Sequence, residues 1–484
     1  MIYNSFSFIT LFPFLFLLYY IIPTRYDKGR NLFLLATSYA LYIQWRPVFV
    51  LILLGVTLIT YWGGQILQLR GDGDEIKNDE RKRRKKLVCL FAIMGLLPLL
   101  FFKYYNFINN CVSNGLTFLG FQSNLPGLNW AIPIGISFFT FQALGYMLDV
   151  YHGRINAERN FLDYALFVSF FPSILSGPIN KASLILPQIK NLRQYFDYDK
   201  AVIGLKMLLW GMFMKVVVAD RVGLYVDTVL PHYENYTGIT CLIASVFYTI
   251  QIYADFAGYS LMAIGVGKVL GFELTENFHR PYFAVSVTDF WRRWHISLST
   301  WLKDYVYIPL GGSRCSKLRN YWNIFVTFLV SGIWHGANWT FIVWGIWHGL
   351  FQIIEKAIGQ QKCEYGWFGK TVKIIITFLL VNFAWIFFRM PTIGDAFCVL
   401  ARIFDFSLPK TVFVDTTGKT GLLLYMFGIG TLFAKDIHDE FFQGRVKLFN
   451  NKRAIVRWFT YLVVISSILL LGVFGADQFI YVNF

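Results

Sequence analysis

The sequence predicts an all-α, polytopic membrane protein of about 11 spans, and three observations predict it. Hydrophobic residues fill 56% of the 484 positions and charged residues only 15%, against roughly 25% charged in ordinary soluble domains. The apolar residues gather into runs near the ~20 residues that a helix needs to cross a ~30 Å hydrocarbon core. Basic residues collect in the short stretches between those runs, as cytoplasmic loops require.

Taken in order, the runs are 6–22, 32–45, 48–67, 87–102, 131–148, 201–219, 239–254, 321–334, 339–354, 371–388, 422–433 and 458–474. Several are too short for a crossing, which predicts broken or re-entrant pieces beside the full spans. The first run has no basic leader and no small-residue cleavage site, so it reads as a retained helix. Arg25, Lys28 and Arg30 follow the first run, and Arg81-Lys82-Arg83-Arg84-Lys85-Lys86 follows the third. An even number of spans separates the two clusters, so both face the cytoplasm and the N-terminus lies outside. The stretch 72–86 is expected to be a solvated loop. Membrane topology thus accounts for the net charge of +16, and nucleic acid is not an expected partner. No soluble domain fits between the runs, which predicts one integral membrane domain over 1–484, surrounded by lipid.

The six cysteines, Cys89, Cys111, Cys241, Cys315, Cys363 and Cys398, show no C-x-x-C spacing, so no disulfide framework is expected. Cys315 stands beside Arg314 and Lys317 in a polar loop. The histidines are more informative. Trp334-His335-Gly336 and Trp347-His348-Gly349 fall in a strongly apolar stretch, where a ring tends to stay neutral and able to accept a proton from a substrate hydroxyl. Ionisable groups inside spans mark functional sites by default. His152, His232, His279 and His438 are too dispersed for a metal site, and no H-E-x-x-H, P-loop or G-x-S-x-G motif is present, so neither a metal nor a bound cofactor is expected.

Residues 251–350 are the most unusual. Asp255 interrupts an apolar run and needs a partner; Arg280 or Arg293 is expected to supply it, with a channel-lining role as the alternative. Gly258, Gly265, Gly267 and Gly271 miss the G-x-G-x-x-G spacing and point to close helix packing. The segment 289–305 mixes cations with tryptophans. One reading is an interfacial helix, with Trp at headgroup depth and Arg snorkelling to lipid phosphates. The other is the wall of a portal for an anionic, nucleotide-bearing thioester, which would use Arg and Lys for phosphates and flat rings for the base. Composition alone favours the first reading; His295 shifts the balance toward the second, because anchoring at an interface does not require it.

These residues resemble a known family. Tyr253-Ala254-Asp255-Phe256-Ala257-Gly258-Tyr259-Ser260, Asn277-Phe278 through Tyr282, Phe290-Trp291-Arg292-Arg293-Trp294-His295-Ile296-Ser297-Leu298-Ser299, Tyr307-Ile308-Pro309-Leu310-Gly311-Gly312 and Ser331-Gly332-Ile333-Trp334-His335-Gly336 are similar to segments of the membrane-bound O-acyltransferases (MBOAT), nearest to their bacterial branch. That branch acetylates alginate and peptidoglycan or transfers D-alanine to teichoic acids. Core motifs span 131–389, and little is recognisable beyond Arg389.

The resemblance implies a ring of helices with re-entrant pieces around a thin central tunnel or funnel, in a bacterial inner membrane. It matches His335 to the family's near-invariant histidine and His295 to the second histidine of the bacterial branch. Were 335–348 a single helix, the rings of His335 and His348 would stand ~20 Å apart and about 220° around the axis. They could then not share a site, and His348 is expected to be a packed core histidine hydrogen-bonded to a neighbour. Candidate catalytic residues are therefore His335 and His295. Candidate donor-binding residues are Asp255, Arg280, Trp291, Arg292, Arg293, Trp294, Lys303, Asp304, Trp334 and Asn338.

The expected reaction moves an acetyl group from a cytoplasmic thioester, acetyl-CoA as co-substrate, toward an extracytoplasmic polysaccharide, with His335 as general base. The resemblance also implies a separate serine-hydrolase-type partner outside the membrane. D-alanyl transfer from a carrier protein is the alternative within the family. A proton-coupled transporter is the alternative outside it, although no inverted repeat is visible. A membrane scaffold would not need His335.

Overall fold

The structure is a computed structural model that describes residues 3–68, 78–121, 126–128, 130–175, 177–191, 196–359, 366–405, 418–442 and 449–474. Regular structure among the described residues is helical throughout. By contacts the chain divides into two compact units, one formed mainly by 10–202 with 266–275, the other by 2–9, 203–265 and 276–484.

The first unit holds most of α1 (Phe6–Ile21), then α2 (Asp27–Ile43), α3 (Pro47–Leu67), α4 (Asn78–Phe118), α5 (Ile136–Tyr151), α6 (Phe161–Ser169), α7 (Phe171–Ile174) and α8 (Ala182–Lys190). Proline opens α3, where its missing N–H costs nothing. Asp79 and Glu80 sit in the first turn of α4, where acids suit the helix dipole. The basic cluster 81–86, expected in a loop, is helical and belongs to α4. Residues 72–77 of that expected loop lie outside the described residues. Within the cluster Arg84 donates to the carbonyls of Leu67 (2.8 Å) and Tyr151 (2.9 Å), the last residues of α3 and α5. A cation here satisfies two helix C-termini, which is why the helix extends through it.

The second unit holds most of α9 (Tyr198–Met212), then α10 (Asp220–Val229), most of α11 (Gly238–Val269), α12 (Val287–Arg293), α13 (Ile296–Leu302), α14 (Lys317–His335), α15 (Trp339–Ala357), α16 (Trp367–Arg389), α17 (Ile393–Ile403), α18 (Gly418–Phe441) and α19 (Ala454–Leu471). A π-helical segment, Phe213–Ala219, joins α9 to α10, and a second, Lys303–Tyr307, follows α13. Among the described residues six helical stretches are long and apolar enough to cross a membrane: Pro47–Leu67, Asn78–Phe118, Tyr198–Asn235, Gly238–Val269, Trp367–Arg389 and Ala454–Leu471. Phe6–Ile21 and Phe161–Ile174 are apolar but shorter; the first corresponds to the short run 6–22, and the second is not among the expected runs.

Glycine sets two close approaches in this unit. A Cβ at Gly258 would stand 2.8 Å from the Gly211 carbonyl, so α11 and α9 touch backbone to backbone, which is the packing role expected of that glycine stretch. In the α14–α15 hairpin, a Cβ at Gly332 would strike the Phe341 carbonyl and one at Gly345 the Phe328 carbonyl.

Candidate active site

Three short pieces between α11 and α14 shape the site. α11 ends at Val269, Pro281 opens a 3-10 turn over Pro281–Phe283 ahead of α12, and Asn277 ties the turn after α12 in place. Its carbonyl accepts from the Ile296 N–H (3.0 Å) and its Oδ1 from the Ser297 N–H (3.2 Å). Between α12 and α13 the chain turns through His295, which holds φ +43°. Arg280 holds φ +46°. A non-glycine residue in the left-handed region is costly and clusters at functional sites. Glu355 of α15 secures α12 by accepting from the N–H groups of Val287 (2.5 Å) and Thr288 (2.9 Å) and from the Thr288 hydroxyl (2.8 Å). A carboxylate there answers the positive end of the helix.

Around this segment three imidazoles stand in one aromatic cluster. His335 ends α14, with its ring 4.9 Å from Trp334, 4.8 Å from Trp344 and 5.3 Å from Phe388. His295 is fully buried, 4.7 Å from Phe256 and 6.0 Å from Trp334. It lies outside the spanning helices, and burial pushes its ring down to about 3, so it is neutral near pH 7. The Trp334 indole therefore neighbours both His295 and His335.

The chain breaks at Gly336 and restarts at Asn338, which caps α15 by accepting from the Thr340 N–H. Residues 335–348 are thus not one helix. His348 lies 4.9 Å from the Trp344 ring that also touches His335, so the two imidazoles are no farther apart than the sum of those contacts, well inside the ~20 Å of a continuous helix. The hairpin folds the second histidine back beside the first. His348 is buried against Phe290, Trp291 and Trp344, a packed ring as expected. The hydrogen bond expected of it is absent: neither ring nitrogen has a partner among the described residues, because its neighbours present ring faces and edges.

Beside the cluster lies a cavity of about 490 Å³. Arg292, Lys303 and Lys356 line it, together with Trp291, Phe328, Ser331, Gln352 and hydroxyl residues, and among the described residues no carboxylate does. Arg292 and Lys303 are exposed and have no ion-pair partner among the described residues. Lys356 bonds the neutral amide of Asn320. The lining reaches Ser331, one helical turn before His335 on α14.

Of the candidate donor-binding residues, the structure brings Trp291, Arg292 and Lys303 to this cavity. Asp304 is half-buried on the π-helical segment beside Lys303. Trp294 is fully buried within 5.4 Å of the Phe290 and Trp385 rings, and Trp334 stands between the two candidate catalytic rings. Asn338 is engaged as a cap and donates to the Pro391 carbonyl (2.8 Å).

Arg280 and Arg293 converge on Glu440, at 2.6 and 2.8 Å, and Arg293 also holds Asp289. Asp255 pairs with neither of them. Its partner is Lys215, 2.7 Å away, which is also 2.7 Å from Asp220. All three are buried. The π-helical segment sets Lys215 between the two carboxylates. Lys215 carries the signal that could have revealed this, a lone cation inside an apolar run. Glu440 lies in the C-terminal region that shares no recognised motif.

Comparisons with known proteins bear on this geometry. The signature of the family described as MBOAT, membrane-bound O-acyltransferase, matches residues 154–391. A protein of Pseudomonas syringae named "Probable alginate O-acetylase AlgI" is 38% identical over 450 residues, covering 92% of this chain and 84% of that protein. A peptidoglycan O-acetyltransferase of Helicobacter pylori is 34% identical over 431 residues, 83% of this chain and 79% of the relative. A teichoic acid D-alanyltransferase of Bacillus subtilis is 26% identical over 291 residues, 58% and 70% of the two chains.

Proposed function

Because the chain belongs to the membrane-bound O-acyltransferase family and is a multi-pass membrane enzyme of that class, we propose that it moves an acetyl group from acetyl-CoA across the inner membrane for O-acetylation of an extracytoplasmic polysaccharide. The observation that carries the donor is the cavity whose cations face no carboxylate. Three unneutralised positive groups suit the phosphates of a nucleotide-bearing thioester. Cations dominate that end of the α14–α15 hairpin, with Arg314, Lys317, Arg319 and Lys356, and this supports a cytoplasmic donor side with the N-terminus outside.

In the reaction, the His335 imidazole takes the proton of the acceptor hydroxyl as its oxygen attacks the thioester carbonyl. The carbon–sulfur bond breaks, and the departing thiolate receives a proton to leave as free CoA. General-base catalysis of this kind contributes typically 10²- to 10⁴-fold. His295, neutral and one indole away, orients the donor or shares the proton. The acetyl group leaves on the opposite side, where a separate serine-hydrolase-type protein completes delivery to the glycan.

The test is transfer of radiolabelled acetyl from acetyl-CoA by the purified protein in vesicles, run beside D-alanyl transfer from a charged carrier protein. Label moved from acetyl-CoA alone supports the proposal. Transfer from the carrier alone would replace it with D-alanylation of a teichoic acid. Vectorial proton movement without acyl transfer would make the chain a transporter.

A further inference from the structure

Hydroxyls in the helices of this chain habitually bond the carbonyl one turn back. Ser38, Thr57, Thr60, Ser169, Thr249 and Ser467 all do so, at 2.7–3.1 Å, and so does Thr327, one turn before Ser331 on α14 (2.6 Å). Ser331 does not. Its side chain is fully buried, and its Oγ has no hydrogen-bond partner among the described residues. An unsatisfied buried hydroxyl costs about 1–3 kcal/mol, and local back-bonding is the ordinary way to avoid that cost. Ser331 lines the cation-lined cavity. Trp291 lines the same cavity, is nine-tenths buried, and leaves its Nε1–H unpartnered. Trp294, Trp344 and Trp385 also have unpartnered indoles, but none of them lines this cavity.

We propose that Ser331 and Trp291 are hydrogen-bond donors to the acyl carbonyl of the thioester, with Ser331 a catalytic residue that stabilises the oxyanion. The inference rests on the donor reading above and adds the groups that meet the reacting carbonyl. Ser331 and His335 are four residues apart on α14, a spacing that places side chains on one helical face, ~5–6 Å apart at Cβ. A carbonyl held at Ser331 therefore lies beside the base, in the same cavity that Arg292, Lys303 and Lys356 line. When the acceptor oxygen attacks, the carbonyl π electrons move onto oxygen, and the O–H of Ser331 and the N–H of Trp291 bind the resulting charge. Collapse of the intermediate restores the C=O bond and expels the thiolate, which takes the proton held on the His335 imidazolium. Neither donor is consumed, and both regain their starting state.

The test measures acetyl transfer from acetyl-CoA and thermal stability together, for Ser331→Ala and Trp291→Phe. Removing one preorganised oxyanion donor costs on the order of 10²-fold in kcat, so Ser331→Ala should lose about that much with the donor KM little changed. Its melting temperature should match or exceed wild type, because the substitution deletes an unsatisfied group. Trp291→Phe keeps a ring and should lose turnover in the same sense. A folded Ser331→Ala protein with wild-type kcat would overturn the inference while leaving acylation intact, as would loss of activity matched by loss of stability in both variants. If the wild type transfers no acyl group from any thioester, the donor reading and this inference fall together.

Discussion

Two cavities of similar size in the second unit differ in how their charges are disposed. One, of about 450 Å³, is lined by Lys206, Arg280 and Lys435 but also by Glu276, Asp436 and Asp439. Two of its three cations are neutralised: Lys435 holds Asp439 at 2.5 Å and stands 5.3 Å from the Trp210 ring, and Arg280 holds Glu440, while Lys206 bonds the neutral amide of Asn450 (2.6 Å) beside the carboxylates of the lining. The other, of about 490 Å³, presents Arg292, Lys303 and Lys356 with no carboxylate in its lining. Both are rich in basic residues, so counting cations does not separate them. What distinguishes a site for an anion is positive charge that the fold leaves unneutralised, because only that charge gains from the ligand's phosphates.

The sharpest way to break this comparison is to remove the base that stands one helical turn beyond Ser331, a lining residue of the second cavity. His335→Ala should drop acetyl transfer below roughly a tenth of wild type while leaving membrane insertion and detergent stability near normal. Retained activity would remove His335 as the base. His348→Gln, a change in the same aromatic cluster, should instead lower the melting temperature more than turnover, and a clean catalytic loss in that variant would reverse the ranking of the two rings. His295→Ala should lower turnover severely with a smaller effect on expression; an equally active variant would leave His295 a structural element of the α12–α13 turn.

Smaller effects should follow from the neutralised pairs. Burial alone would raise the Glu440 carboxyl, but hydrogen bonds from Arg293 and Arg280 outweigh it and hold it below the ordinary glutamate value of 4.5. Glu440 lies in the charged last turn of α18, past the apolar run. An acid lowered in this way stabilises the fold above its ordinary value, and the contribution is lost as pH falls through the lowered one. Glu440→Gln should therefore cost on the order of 1–2 kcal/mol near neutral pH, read as a lower melting temperature, and its deficit against wild type should shrink on acidification below 4.5. A deficit that does not change with pH would deny the pair its role.

The sequence made some of this architecture legible and concealed the rest for identifiable reasons. Helical class and membrane character follow from runs that the structure returns as apolar helices, and the motif residues are contiguous, so Asn277, Trp291 and His295 could be singled out directly. Pairings were not legible where the partner is distant. Glu440 is 147 residues from Arg293, and nothing local marks it, so Arg280 and Arg293 looked free to meet Asp255 or a phosphate. Lys215 was hidden by the opposite effect, a single cation absorbed into an apolar run and read as part of a span. His335 and His348 were separated on paper by a helix that does not exist, because the break at Gly336–Asn338 is a local event that apolar periodicity does not register. Ser331 needed three dimensions altogether: only the cavity and the missing back-bond distinguish it from the other helical hydroxyls.

The most direct test of the central claim is donor saturation across ionic strength for two matched double variants. Replacing Arg292 and Lys303 with Gln should raise the apparent KM for acetyl-CoA roughly tenfold or more and flatten its salt dependence, since screening acts only on charges that are present. Replacing Lys206 and Lys435 with Gln should leave both quantities near wild type. An unchanged KM and salt response in the Arg292/Lys303 variant, or an equal shift in the Lys206/Lys435 variant, would contradict the assignment of the cation-lined cavity to the donor.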